Sequence, residues 1–301
     1  MRFSIQRART ITAFFSFFLH VISVFGQNKV TEFPMVKSSL LWKISGPEVK
    51  GDSYLFGTMH LIEKEYFIFP KKLEKQVKKT DVLVMELAGL PNQMEATGYV
   101  MLKEGSFFDY FTQEETDSIF MWAKDKFGMG EETFRKSFSK MKPFAVTQLG
   151  VQLHFIGKTE SYEMSFEKIA KEHNVTIKGL ETIAEQMALF DNLTKEQQAS
   201  MVMENIRTGD EAIELIKRMQ ITYTTQEIDE LYQLIQSEGG VISEEQGKFL
   251  DDRNENWIPQ IKSFVKENNA FIAVGAGHLG GPNGVIRLLE KEGYTLTPVV
   301  L

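Results

Sequence analysis

Cysteine is absent from all 301 residues. That excludes disulfides, thiolate metal sites, thiol nucleophiles and a lipid-modified N-terminal cysteine. Histidine is scarce, with five residues, so imidazole chemistry can come from few positions. Basic residues are outnumbered, 34 against 41 acidic, and the net charge is −7. An acidic chain lacks the basic face that nucleic-acid binding needs. Beyond the N-terminus no apolar run approaches the ~20 residues of a membrane-crossing helix. A chain without staples must rely on its core. With 43% hydrophobic and 25% charged residues this one has ordinary globular composition.

The first residues follow a different pattern. Arg2, Arg7 and Arg9 precede a mostly apolar stretch from Ile11 to Val24, and Val24 and Gly26 suit the −3 and −1 positions of a cut before Gln27. Residues 1–26 are expected to be a cleaved secretory signal peptide rather than a membrane anchor. Cleavage leaves 275 residues and, with three arginines gone, moves the charge from −7 to −10. The expected product is exported, periplasmic or secreted, with no stable membrane span.

One phrase occurs twice. Tyr54-Leu55-Phe56-Gly57-Thr58-Met59-His60-Leu61 and Phe271-Ile272-Ala273-Val274-Gly275-Ala276-Gly277-His278-Leu279 are each an apolar run followed by Gly-x-x-His-Leu. Each reads as a buried strand stopped by a glycine, with a histidine just past its carboxyl end. That is where open α/β sheets bind ligands. The two copies are expected to meet there and share a task. Carboxylates take similar places. Glu86 ends the apolar run from Asp81, and Glu181 follows the short strand Val175–Leu180, with Gln186 a turn into the next helix. A glutamate at a buried strand end must be paired, protonated or bound to a cation.

In chain order, strands are expected at 39–44 and 53–57, joined as a hairpin, then a helix at 69–79 and a strand at 81–87. From residue 91 to about 260 the periodicity turns helical, with helices expected at 114–127, 143–155, 165–173, 184–190, 195–219 and 225–237. Thr194 and Thr225 are expected N-caps, and Thr194 with Gln197 fits a capping box. His154 and His173 lie in helical segments and read as structural. A helix at 261–267, a strand at 270–274, a helix at 284–292 and a final strand at 296–301 follow. The expected fold is α/β (α+β): one domain, 27–301, with a central mixed sheet from about 38–90 and 261–301. A helical insertion, about 91–260, caps it. The glycine-rich loop 275–281 lacks the P-loop order and an acidic ribose partner, so a nucleotide site is set aside.

Two histidines with one or two carboxylates form a standard ligand set for a catalytic divalent ion. Such an ion acidifies water and polarises a carbonyl. A further glutamate could move the proton, and Arg253 could bind a substrate carboxylate or steady an oxyanion.

These residues resemble the TraB/PrgY/GumN family, which includes the TIKI proteins of animals. The matching phrases are Leu40-Leu41-Trp42-Lys43-Ile44, the two histidine phrases, Glu86-Leu87, Leu180-Glu181-Thr182 with Glu185-Gln186, and Arg253-Asn254. The resemblance implies a GumN-like exported bacterial protein and a metal-dependent protease fold with paired Gly-x-x-His motifs. It also implies peptide or protein substrates, such as peptide pheromones or secreted signals. Carried over, it points to His60, Glu86, Glu181 and His278 around Mn, Co or Zn, with Glu86, Glu181, Arg253 and Asn254 in catalysis. The segment Tyr162-Glu163-Met164-Ser165-Phe166 departs from the family's Gly-hydrophobic-Asp pattern. The expected function is a metallopeptidase. A metal-dependent esterase and a non-catalytic binding protein retaining the fold are the alternatives.

Overall fold

The structure is a computed structural model and describes residues 35, 37, 39–89, 93–238, 245 and 247–301. The expected leader, 1–26, lies outside the described residues.

Strands β1 (Leu41–Ser45), β2 (Ser53–Thr58), β4 (Val82–Met85), β6 (Thr176–Gly179), β7 (Ala270–Gly275) and β8 (Thr295–Val299) form one mixed sheet in the order β6-β4-β7-β2-β1-β8. A two-residue ribbon joins β3 (Ile62–Glu63) to β5 (Thr159–Glu160). Neighbours from β6 to β2 run parallel, while β1 is antiparallel to both β2 and β8. The burial patterns follow from this. Every residue of β4 and β7 is buried, as in parallel strands covered on both faces. At one edge β6 alternates exposed and half-buried residues, and at the other β8 carries Pro298, tolerated where no further strand needs its missing N–H.

The helices are α1 (Lys71–Lys78), α2 (Gln93–Val100), α3 (Gln113–Phe127), α4 (Glu131–Phe138), α5 (Pro143–Phe155), α6 (Tyr162–His173), α7 (Ile183–Asp191), α8 (Lys195–Arg207), α9 (Gly209–Thr225), α10 (Ile228–Glu238), α11 (Asp252–Glu267) and α12 (Val285–Lys291). The hairpin and the capping box of Thr194 with Gln197 are as expected. Four expectations differ. The span 195–219 is broken into a pair of helices at Thr208, whose hydroxyl donates to the Glu204 carbonyl just before Gly209. Thr225 ends α9 instead of capping the next helix, because Gln226 turns left-handed at φ 63°. The helix expected at 261–267 begins earlier, since α11 runs from Asp252 through Pro259 to Glu267. The 91–260 segment is also more than a cap, because its strand β6 extends the sheet beside β4.

Aromatic packing sets helix α6 against the sheet. Phe56 and Phe271 meet Phe166, with ring centroids 5.6 and 5.3 Å apart. Tyr162 anchors the start of α6, where its hydroxyl donates to the Ile68 carbonyl and accepts from the Ile68 amide. Burial pushes this phenol up to about 12, so it stays a donor.

The glycine-rich loop after β7 is a packing surface for α10. Gly275, Gly277 and Gly280 have Gly-x-Gly-x-x-Gly spacing, but their neighbours are protein atoms. A Cβ on Gly277 would lie 2.8 Å from Ile235, and one on Gly280 would lie 2.5 Å from the Ile228 carbonyl. Gly281 adopts φ +81°, and its Cβ would lie 2.4 Å from the Tyr232 ring. Asp229 clamps the same loop, accepting from Gly281 N and from both terminal nitrogens of Arg287, each at 2.9 Å. Gly281→Ala is therefore expected to lower stability by about 2–3 kcal/mol, from left-handed strain plus overpacking. Urea denaturation against the wild type measures it.

Candidate active site

Four adjacent parallel strands end on one side of the sheet, and each is followed within three residues by a group named from the sequence. In sheet order these are Glu181 after β6, Glu86 after β4, His278 after β7 and His60 after β2. Residues far apart in the chain meet because their strands are hydrogen-bonded neighbours, with Thr58 level with Gly275 and Met85 level with both Ala273 and Gly179.

The two imidazoles converge on one oxygen. His60 Nε2 lies 3.7 Å and His278 Nε2 4.0 Å from Glu86 Oε1. Gly275 N–H donates to the same oxygen at 2.8 Å. Glycine eases this approach, since a Cβ at 275 would lie 3.3 Å from Glu86 Oε1, a tight contact. Both Nδ1 atoms are held from behind. His60 Nδ1 lies 2.7 Å from Glu163 Oε1, and His278 Nδ1 lies 2.7 Å from Asn254 Oδ1. Asn254 Nδ2 donates to the Asn283 carbonyl, which turns its oxygen toward His278. His278 Nδ1 is thereby the donor, and Nε2 is the lone-pair nitrogen of the neutral ring. Trp257 packs on this ring, centroids 4.5 Å apart.

Arg253 sits among these groups, 5% exposed, on the first turn of α11 after a single π-helical turn, 247–251. It donates from Nη2 to Glu86 Oε2 at 2.7 Å, from Nε to Glu181 Oε2 at 3.1 Å, and from Nη2 to Glu181 Oε1. Its Nη1 donates to the Phe249 carbonyl at 3.1 Å and to His278 Nε2 at 3.0 Å. Gln186 Nε2 donates to Glu181 Oε1 at 2.6 Å and to Glu86 Oε2 at 3.2 Å.

The electrostatics separate the two central glutamates. Burial disfavours the charge on Glu86, but Arg253 and the hydrogen bond from His60 outweigh it and hold this carboxyl well below the usual range. Burial dominates at Glu181 and, with the Glu86 charge, leaves its pKa raised despite Arg253. Burial would also depress His60, yet Glu163 and Glu86 lift it to about 10. Glu163 is correspondingly lowered, as His60 overcomes its burial.

All six residues singled out in the sequence thus meet in one cluster. Glu163 was missed as a participant, and Gln186 and Trp257 had no role assigned. Glu163 carried a signal: it stands in the stripe of Phe166 and Ala170 on α6, where a charge needs a partner. Among the described residues no group of three His, Asp or Glu side chains is close enough to hold a metal ion in this arrangement. In this arrangement the Arg253 guanidinium also occupies the His278 lone pair. The donor set nevertheless suits a divalent ion. Both ring Nε2 atoms face one carboxylate oxygen, and both Nδ1 atoms are fixed by the kind of outer partner that orients metal-binding histidines. The charges agree too. Once His60 gives up its proton to an incoming ion, Glu86, Glu163 and Glu181 against Arg253 sum to −2.

No curated protein and no solved structure matches the chain. The profile of the TraB/PrgY/gumN family matches residues 40–298, from β1 to β8 and through every residue of the cluster. The chain belongs to the TraB/PrgY/gumN family.

Proposed function

We propose that this chain is a divalent-metal-dependent hydrolase, a peptidase in substrate class, exported by the leader at 1–26. The observation that carries the reading is the pair of imidazoles facing Glu86 Oε1, each with its Nδ1 held by a second side chain. His60, His278 and Glu86 would hold Mn, Co or Zn. When bound, the ion would lower the pKa of a bound water and polarise a substrate carbonyl. Arg253 would leave His278 Nε2 and keep its contacts to the carboxylates. Glu181, raised where Glu86 is lowered, is the group suited to carry a proton. Glu163 and Asn254 keep the rings in one orientation. Peptide substrates come from the family resemblance, and an ester would need the same activated water.

One observation favours the binding-protein alternative: Arg253 already supplies a cation to Glu86 and Glu181, so the cluster is satisfied without an ion. Elemental analysis after soaking with Mn, Co and Zn separates the readings. Wild-type protein is expected to hold near one ion per chain, and a folded His60→Ala/His278→Ala variant none. Equal background in both would sink the metal reading. Glu163→Gln, which keeps the size but not the charge behind His60, is expected to weaken metal binding about 10–100-fold in a chelator competition titration.

A further inference from the structure

The sheet ends before His60. Strand β2 stops at Thr58, and the chain turns through His60 to the two-residue strand β3. One face of the cap helix α9 grips this turn on both sides of the histidine. Tyr223, 1% exposed, donates from its hydroxyl to the Gly57 carbonyl at 2.8 Å. Gln220, fully buried, accepts from the Glu63 amide at 2.7 Å. Ile216 packs in the apolar cluster that holds Leu61, the residue after His60. Ile216, Gln220 and Tyr223 follow the i, i+4, i+7 spacing of a single helix face.

Two of these contacts are buried hydrogen bonds, which fix direction where apolar packing does not. The Gly57 residue is held from both sides, since its N–H donates to the Leu40 carbonyl at 2.9 Å. Leu40 N–H in turn donates to Gln226 Oε1 at 3.3 Å, at the left-handed turn that ends α9. The Tyr223 ring also meets Tyr162, centroids 5.9 Å apart, and the two phenols are hydrogen-bonded. Tyr162 directly precedes Glu163. One phenol therefore touches both the strand that leads to His60 and the helix that carries its Nδ1 partner. Gln220 Nε2 has no partner among the described residues, so the amide meets the loop through its oxygen alone. The second histidine is held by other helices. Its loop packs on α10, through Gly277 and Ile235, and its Nδ1 on Asn254 of α11.

We propose that Tyr223 and Gln220 are positioning residues for His60, through which the helical cap sets where this ring points. Removing either bond frees the turn that carries His60 and leaves the His278 loop as it is. What this means for an ion rests on the metal reading, but the positioning is testable in metal-free protein.

The test is proton–nitrogen NMR of the full chain without metal, with the ring N–H signals assigned by their loss in His60→Ala and His278→Ala. Exchange of the His60 Nδ1 proton with water is expected to quicken about tenfold in Tyr223→Phe and in Gln220→Met, the size of one lost buried hydrogen bond. The His278 Nδ1 proton should exchange as in the wild type. Phe134→Leu, in the separate aromatic cluster of α3 and α4, controls for general loosening and should leave the ratio of the two rates unchanged. Equal acceleration at both rings in the α9 variants, or none at either, would overturn the proposal. A Zn titration of the same proteins reads the consequence, with Tyr223→Phe expected to bind about tenfold more weakly. A wild type that takes up no Zn would sink the metal reading alone, because the exchange rates decide the positioning without it.

Discussion

Arg253→Met is expected to lower the stability of the metal-free protein by about 3–5 kcal/mol, the usual cost of breaking a buried ion pair from one side. Methionine fills much of the space but leaves Glu86 and Glu181 without their cation. Both side chains are nearly inaccessible, at 5% and 9% exposure, so water cannot replace the guanidinium. For a domain of this size the melting temperature should fall on the order of 10 °C. Two controls give the result its meaning. Glu86→Leu/Glu181→Leu/Arg253→Met removes the carboxylates as well, and should recover most of the loss, because an intact buried network is worth little over apolar packing. Mn or Zn added to Arg253→Met should restore stability, by about 2.7 kcal/mol at a hundredfold excess over the dissociation constant. The gain should exceed that in the wild type, where the guanidinium competes for His278 Nε2 at 3.0 Å. If neither ion stabilises either protein, the cluster is self-sufficient and the binding-protein reading takes precedence.

Much of this arrangement could be read from the chain because it depends on strands and glycines. An apolar run, a glycine and a histidine specify a buried strand that ends abruptly, and the two copies lie on β2 and β7, which pair directly. The carboxylates after β4 and β6 could be found in the same way, since a charge at the end of a buried run needs a reason. The topology required more. Nothing local in Thr176-Ile177-Lys178-Gly179 tells that this strand joins the sheet beside β4 and not the cap, because its alternating exposure arises only from its place at the edge. Breaks in long periodic stretches were also hidden. The break between α8 and α9 comes at Thr208, just before Gly209, and α11 runs on through Pro259.

The side chains around the histidines were harder to see than the histidines themselves. Arg253 was an attractive cation for a substrate, yet the fold turns it inward onto Glu86, Glu181 and His278. That contact joins the end of a helix to three strand ends, and no spacing in the sequence encodes it. Glu163 lies in the segment 162–166, which departs from the family's Gly-hydrophobic-Asp pattern, so the resemblance did not point to it. Tyr162, pinned to Ile68, and Ser161, capping the Met164 amide, start α6 one residue before it. The glutamate therefore arrives at His60 Nδ1.

Glu86→Gln and Glu181→Gln should separate two roles that the sequence left interchangeable. Glu86→Gln is expected to lower metal affinity by more than about a hundredfold, exceeding the usual effect of losing an outer partner. Its two oxygens accept from Gly275 N, Gln186 Nε2 and Arg253 Nη2 and still face both imidazoles. A glutamine offers one acceptor and sets an NH2 group against these donors, so it loses charge and fit together. Glu181→Gln should keep metal affinity within about tenfold, because its oxygens are turned to Arg253 and Gln186 rather than to either ring. Its expected loss is in turnover, about 10²–10⁴-fold on any peptide that the wild type cleaves, the range for removing a proton-transferring group. Chelator competition reads the first effect, and cleavage of a peptide library at saturating metal reads the second. Exchanged results would make Glu181 the ligand and Glu86 the proton carrier. That outcome would contradict the environments of the two groups, since Glu86 is held ionised by Arg253 and His60 while burial and the Glu86 charge press Glu181 toward its protonated form.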